Sequence, residues 1–130
     1  MGTFNAIGVA GTGVTVYRKW LDAVSDNIAN IDNVSATSGD AFQARYVVAQ
    51  EAQDGNGAQV GGTVLGNAEG RVVFEPNHPL ADAEGNVRYP DIDLGDQMAQ
   101  MIMAQRAYQA NLSVVDRARD SYSAAINLGK

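Results

Sequence analysis

Ile7, Ala10, Val14, Tyr17, Leu21, Val24, Ile28 and Ile31 are separated alternately by three and four residues. That alternation puts eight apolar positions on one stripe of an α-helix, and a stripe with a repeat of 3.5 asks for a second helix along its whole length. A helix over residues 7–31 would be roughly 37 Å long at about 1.5 Å per residue. The other end of the chain repeats the pattern. Leu94, Met98, Met101, Gln105, Tyr108, Leu112, Val115, Arg119, Tyr122 and Ile126 alternate by four and three, with Gln105 and Arg119 interrupting the apolar run. Asp91 or Asp93, just after Pro90, can cap the second helix, where a carboxylate accepts orphan N–H groups and suits the helix dipole.

Between the two seams the pattern changes. IDNVSATSGDA supplies turn formers, and FQARYVVAQE alternates Phe42, Ala44, Tyr46 and Val48 on one face as a half-buried strand would. QDGNG at 53–57 is a flexible turn, and GGTVLG, GRVVFE and NVRY are further short strands. The expected fold is mainly α with a small β insert, in which two long terminal helices form a coiled-coil layer. Residues 1–31 and 91–130 form one helical domain, and 32–90 are the linker and β-rich insert. At 130 residues a second independent core is not expected.

Only 7% of the residues are aromatic, with 14 glycines and one tryptophan, which is thin material for a self-contained core. Yet 45% are hydrophobic, so something is to be buried, and burial between chains is one way to do it. The formal net charge of −6 comes without a basic cluster, and phosphate neutralisation needs a concentrated basic face, so nucleic acid is not an expected partner. The lack of cysteine removes disulfides and thiolate chemistry. No run approaches the 18 apolar residues of a membrane span. The first basic residue is Arg18, which argues against a cleaved secretory signal, and Ala6 stands where a myristoylation motif needs Ser or Thr.

Three stretches invite chemical readings. GVAGTGVT, residues 8–15, has the glycine spacing of a phosphate loop, but Val14 takes the lysine position and no strand has room before Gly8. The same glycines read as interior helix positions, each costing about 1 kcal/mol relative to alanine, tolerated where a neighbouring helix approaches closely. DIDLGD at 91–96 starts like a calcium loop but has Ile102 where a bidentate glutamate belongs, and it reads as an acidic helix start. His78 stands alone in a turn-rich segment. No catalytic residue, cofactor or metal is expected.

SDNIANIDN, residues 25–33, puts Asn27 and Asn30 three apart on a helix, where asparagine is a mediocre former. Two readings stand open: solvation of a helix end, or specific hydrogen bonding to a partner. SDNIAN resembles the signature near the N-terminus of the axial proteins of the bacterial flagellum. The run NHPLADAEGNVRYPDIDLGDQMAQMIMAQRAYQAN, residues 77–111, together with FQARYVV and the short chain, is similar to the proximal-rod C type of that family. VSATSGDAFQAR replaces the step found in the longer members, which favours the C type.

The resemblance implies a structural subunit of the proximal rod, polymerising through its terminal helices into the drive shaft that carries torque to hook and filament. It implies copies of the chain itself, other rod proteins and the rod-base adaptor of the membrane ring as partners. It also implies passage through the flagellar type III export apparatus without signal cleavage, and a place in the basal body outside the cytoplasmic membrane. The assembly interface expected on this reading comprises Ile7, Val14, Tyr17, Leu21, Val24, Ile28, Met98, Met101, Tyr108, Leu112 and Val115 for apolar burial. Asn27, Asn30, Gln105, Arg106 and Asn111 supply register. Competing readings are another rod or hook component, a soluble helical hairpin that binds a partner, and a nucleotide enzyme using residues 8–15.

Overall fold

The computed structural model describes residues 2–129; Met1 and Lys130, the outermost positions of the two expected helical spans, lie outside the described residues. Helix α1 runs from Thr3–Ala29 and helix α2 from Leu94–Leu128. Four strands lie between them: β1 Arg45–Glu51, β2 Ala58–Leu65, β3 Arg71–Phe74 and β4 Asn86–Tyr89. They form two two-stranded sheets, β1 with β2 and β3 with β4. The chain is thus mainly helical with a small β region, and all four expected strands are present. α1 starts four residues earlier than the seam predicts and runs straight through Gly8, Gly11 and Gly13.

The helix boundaries have local causes. Asp93 Oδ1 accepts the N–H of Asp96 at 2.8 Å, so of the two candidate caps it is Asp93 that closes the first turn of α2. After α1 the chain tightens through short-range bonds, Ile31 N–H to Ile28 O at 3.3 Å and Asn33 N–H to Asn30 O at 3.1 Å, which satisfy the last carbonyls. The 53–57 turn uses Gly55 and Gly57 at φ of 71° and 114°, a region that L side chains avoid.

The chain divides into two compact units. The first comprises Met1–Leu21, Val47–Gly62 and Ile102–Lys130. In it α1 and α2 run antiparallel. Phe4 and Tyr122 meet edge to face at 4.6 Å between centroids, and α2 comes so close at Gly13 that a Cβ there would lie 3.1 Å from Asn111 Oδ1. The Thr12 hydroxyl donates to Val9 O at 2.7 Å and accepts the N–H of Ala58 at 3.1 Å, tying the β1–β2 turn to α1. Its fully buried apolar side chains are small or branched: Ala10, Val16 and Ala104.

The second unit comprises Asp22–Tyr46 and Thr63–Met101. β3 and β4 are antiparallel, with Arg71 opposite Tyr89 and Phe74 opposite Asn86. Val24, Ala41, Ala44, Val87 and Ile92 are buried there. Arg88 ties β4 to the preceding link: its backbone exchanges bonds with Ser35, and its guanidinium donates to the carbonyls of Glu69 and Thr37. Arg71 lies over the Tyr89 ring at 5.5 Å, and the Tyr89 hydroxyl donates to Glu75 Oε1 at 2.9 Å. Asp82 organises the turn before β4, accepting the N–H groups of Glu84 and Asn86 and the hydroxyl of Thr37.

One face assignment is corrected. Tyr46 and Val48 were expected on the buried side of the strand, but both are exposed, and Val47 is the half-buried residue of β1. The reason is that Val47 and Ala49 line a groove along α1, and side chains alternate faces, so the opposite parity turns to solvent. Phe42 and Ala44, half-buried and buried, precede the strand and lie outside that alternation.

Candidate functional site

The surface in question is the one the seams present. On α1 the expected row does turn inward: Val24 is buried, and Ile7, Val14, Tyr17, Leu21 and Ile28 are half-buried. On α2 the result differs. Met101, Tyr108 and Val115 are half-buried, but Met98, Gln105 and Leu112 are exposed, as is Arg106. The buried side of α2 is instead the row Gln97, Met101, Ala104, Tyr108, Asn111, Val115 and Ala118, also alternating by four and three. It shares three positions with the apolar seam and differs by one residue at the others.

The substitution of rows has a physical cause. Gln97 is 2% exposed because its Oε1 accepts a hydrogen bond from Asn27 Nδ2 at 3.0 Å. Asn111 sits against Gly13, where a Cβ would crowd it, and its amide donates back to Ala107 O at 3.1 Å. Ala104 is fully buried. Where the two rows differ, the smaller residues Ala104, Asn111 and Ala118 and the bonded Gln97 therefore face inward, and Met98, Gln105, Leu112 and Arg119 face out. Leu94, Met98, Ile102 and Leu112 are 50%, 47%, 49% and 38% exposed.

Asn27 follows neither reading of the asparagine pair, since it is buried and makes its specific hydrogen bonds within the chain rather than to solvent or to a partner. It is 0% exposed, and both its amide protons and its oxygen are used: Nδ2 donates to Arg45 O and Gln97 Oε1 at 3.0 Å each, and Oδ1 accepts Arg45 N–H at 2.8 Å. This is a specific bridge within the chain, joining the end of α1, the start of β1 and the first turns of α2. Asn30 is half-buried and donates to Asp26 O at 2.8 Å, within its own helix. Arg45 adds an ion pair to Asp26 at 2.8 Å, exposed enough to contribute little.

The stretches that invited chemistry have structural duties here. Residues 8–15 are helix rather than a strand-to-helix loop, and the Thr15 hydroxyl donates to Gly11 O within that helix. Of its three glycines only Gly13 meets a neighbour; Gly8 and Gly11 face open space. His78 Nδ1 accepts the N–H of Leu80 at 3.1 Å in a turn. Among the described residues no cluster of His, Cys, Asp or Glu could hold a metal ion, and no helix is long and apolar enough to cross a membrane.

The first unit also contains a groove of about 480 Å³, lined by Val9, Val16, Tyr17 and Trp20 of α1, Val47 and Ala49 of β1, and the Asn111 side chain. The sequence reading includes Tyr17 and Asn111 but misses Val9, Val16 and Trp20, which lie on the flank of α1 beside the heptad row, and Val47 and Ala49 of β1. Trp20, the only tryptophan, is the signal that could have pointed to it.

Comparison with known proteins agrees with this architecture. Residues 83–128 match the family model described as the flagellar basal body rod FlgEFG protein C-terminal. The chain is 34% identical to the flagellar basal-body rod protein FlgC of Yersinia enterocolitica over the full length of both. It is 31% identical to FlgC of Salmonella typhimurium and 25% identical to FlgC of Bacillus subtilis, again covering all of both chains. With helices at both ends, a small β region between them and this likeness from end to end, the chain belongs to the family of flagellar basal-body rod proteins of the FlgC type.

Proposed function

We propose that the chain is a structural subunit of the proximal rod of the flagellar basal body, polymerising through its terminal helices into the shaft that transmits motor torque to hook and filament. The full-length likeness to rod proteins carries this reading. The outward aliphatic residues of α2 support it, because large exposed apolar side chains on a small chain mark surfaces awaiting a partner. In this reading residues 1–31 and 91–130 act together as an axial coiled-coil domain and 32–90 as its linker and β insert. Its contacts are heterologous, one patch meeting a different patch on the next subunit, which generates open helical assemblies.

Of the expected interface, the exposed Met98, Gln105, Arg106 and Leu112 of α2 form the assembly surface in the free chain, and the inward-turned positions on both helices hold those helices in place for it; the partners are copies of the chain, other rod proteins and the rod-base adaptor. Export by the flagellar type III apparatus delivers it to the basal body outside the cytoplasmic membrane. The function is mechanical, with no bond made or broken and no cofactor. The test is genetic and biochemical. Cells lacking the chain should build no complete rod and should not swim, and a tagged copy should restore swimming and co-purify with basal bodies. Complete rods in cells without the chain would end this reading.

A further inference from the structure

The two compact units differ sharply in charge. The first holds six Lys and Arg against four Asp and Glu, and the second three against eleven. The basic unit carries the apolar groove walled by Val9, Val16, Tyr17, Trp20, Val47 and Ala49, with exposed Lys19 three residues beyond Val16 on α1. The acidic unit carries a projecting counterpart. Leu94 and Met98, 50% and 47% exposed, lie four apart at the start of α2 and so on one face, and exposed Asp91, Asp93 and Asp96 surround them in sequence.

An apolar pair bracketed by carboxylates matches an apolar groove on a basic unit: burial supplies the attraction and charge supplies the orientation. A two-fold arrangement would bury both pairs reciprocally and close the assembly at two copies, whereas a rod subunit needs an open one. The open arrangement joins unlike patches and leaves one of each free at the ends. We propose that Leu94 and Met98 of one copy seat in the Trp20 groove of a second copy, with Asp91, Asp93 and Asp96 facing its basic unit, so that copies join head to tail. This rests on the reading of the chain as a rod subunit and names one of its contacts.

The absence of cysteine makes a clean test possible. Ala49→Cys places a thiol at the groove and Met98→Cys places one on the projecting pair, both at exposed positions. Basal bodies from swimming cells that express both single variants together should, on mild oxidation, yield a disulfide-linked dimer of the 13.7 kDa chain, and cells expressing either variant alone should yield none. Adding Lys19→Glu to the groove variant should lower the dimer yield several-fold. A second pair, Ala58→Cys with Leu94→Cys, should give the same pattern and guards against a substitution that hinders folding. Basal bodies that contain both chains but give no dimer with either pair would overturn the contact and leave the rod reading standing, as would a dimer from one variant alone. Chains missing from the basal bodies of swimming cells would overturn both.

Discussion

Asn27, fully enclosed in the second unit, has every amide proton paired, while in the first unit Phe4, Leu112 and Ile126 turn much of their apolar surface to solvent. The second unit buries Val24, Val87 and Pro90 almost completely and closes its turns with side chains such as Asp82 and Arg88. In the first, residues 119–128 of α2 are exposed throughout. Both units leave apolar side chains exposed, Phe74, Leu94 and Met98 among those of the second, but the second is closed by a buried amide bridge and side-chain-bonded turns, while the last turns of α2 in the first stay exposed. Such a chain can stay folded as a monomer through the second unit's network and keep exposed apolar surface of both units available for assembly, since amphipathic helices gain most of their stability from what they pack against.

The strongest way to break this comparison is Leu112→Asp in the first unit. Because Leu112 is only 38% exposed in the free chain, the purified variant should still fold but lose about 1–2 kcal/mol relative to the parent. In cells it should abolish swimming, since every added subunit brings a carboxylate to the same apolar contact. Swimming cells, or a chain that no longer folds, would contradict the division between folding network and assembly surface. The control Asp54→Leu, in the exposed 53–57 turn, should leave swimming intact.

Next in size is Asn27→Ala in the second unit. It strands the Arg45 N–H, the Arg45 carbonyl and Gln97 Oε1, and at roughly 1 kcal/mol or more for each buried group the loss should be on the order of 3 kcal/mol in urea denaturation. A loss below about 1 kcal/mol would mean that the second unit does not depend on this bridge.

A pair of glycine substitutions sharpens the contrast. Gly70 adopts φ of 59°, and a Cβ there would run into the Tyr89 carbonyl and the Ala41 side chain, so Gly70→Ala should cost more than about 1 kcal/mol. Gly8 is helical and faces open space, so Gly8→Ala should stabilise by up to about 1 kcal/mol. If both move the same way in thermal unfolding, local crowding does not distinguish the units.

The smallest effect is pH dependence at Asp82. The N–H of Asn86 and the Thr37 hydroxyl hold its carboxyl below the ordinary value of 3.8, so the folded state favours the charged form. That contribution is present above the unfolded value and disappears as pH falls through the lower folded value. Acid unfolding of Asp82→Asn should therefore show a shallower fall in stability below about pH 4 than the parent chain does. Identical acid slopes would remove Asp82 from the forces that hold the turn.

Much of the architecture was legible in the residues. The apolar spacing of α1, the cap at Asp93, the glycine turn at 53–57 and the four short strands each follow from local rules that act within a few residues. What was not legible depends on partners far along the chain. The parity of β1 could not be read from FQARYVV, because both alternations contain apolar residues, and only packing on α1 selects Val47. Asn27 carries no mark of burial in SDNIAN; its partners Arg45 and Gln97 lie 18 and 70 positions away. The groove was missed for the same reason.

By itself, then, the sequence determined that two long amphipathic helices enclose a short β-rich segment, because helix period, capping and turn chemistry are local. It also carried the likeness to rod proteins along its whole length. Only the tertiary structure decided which row of α2 faces inward. Two adjacent rows obey the same four-three alternation and share Met101, Tyr108 and Val115. Apolar content favours the row with Met98 and Leu112, yet close approach at Gly13 and the amide bond from Asn27 select the row with Gln97, Ala104 and Asn111. Side-chain size and hydrogen-bond satisfaction at a contact outweigh hydrophobicity summed along a helix, and the aliphatic residues that lose this competition are left on the outside for assembly.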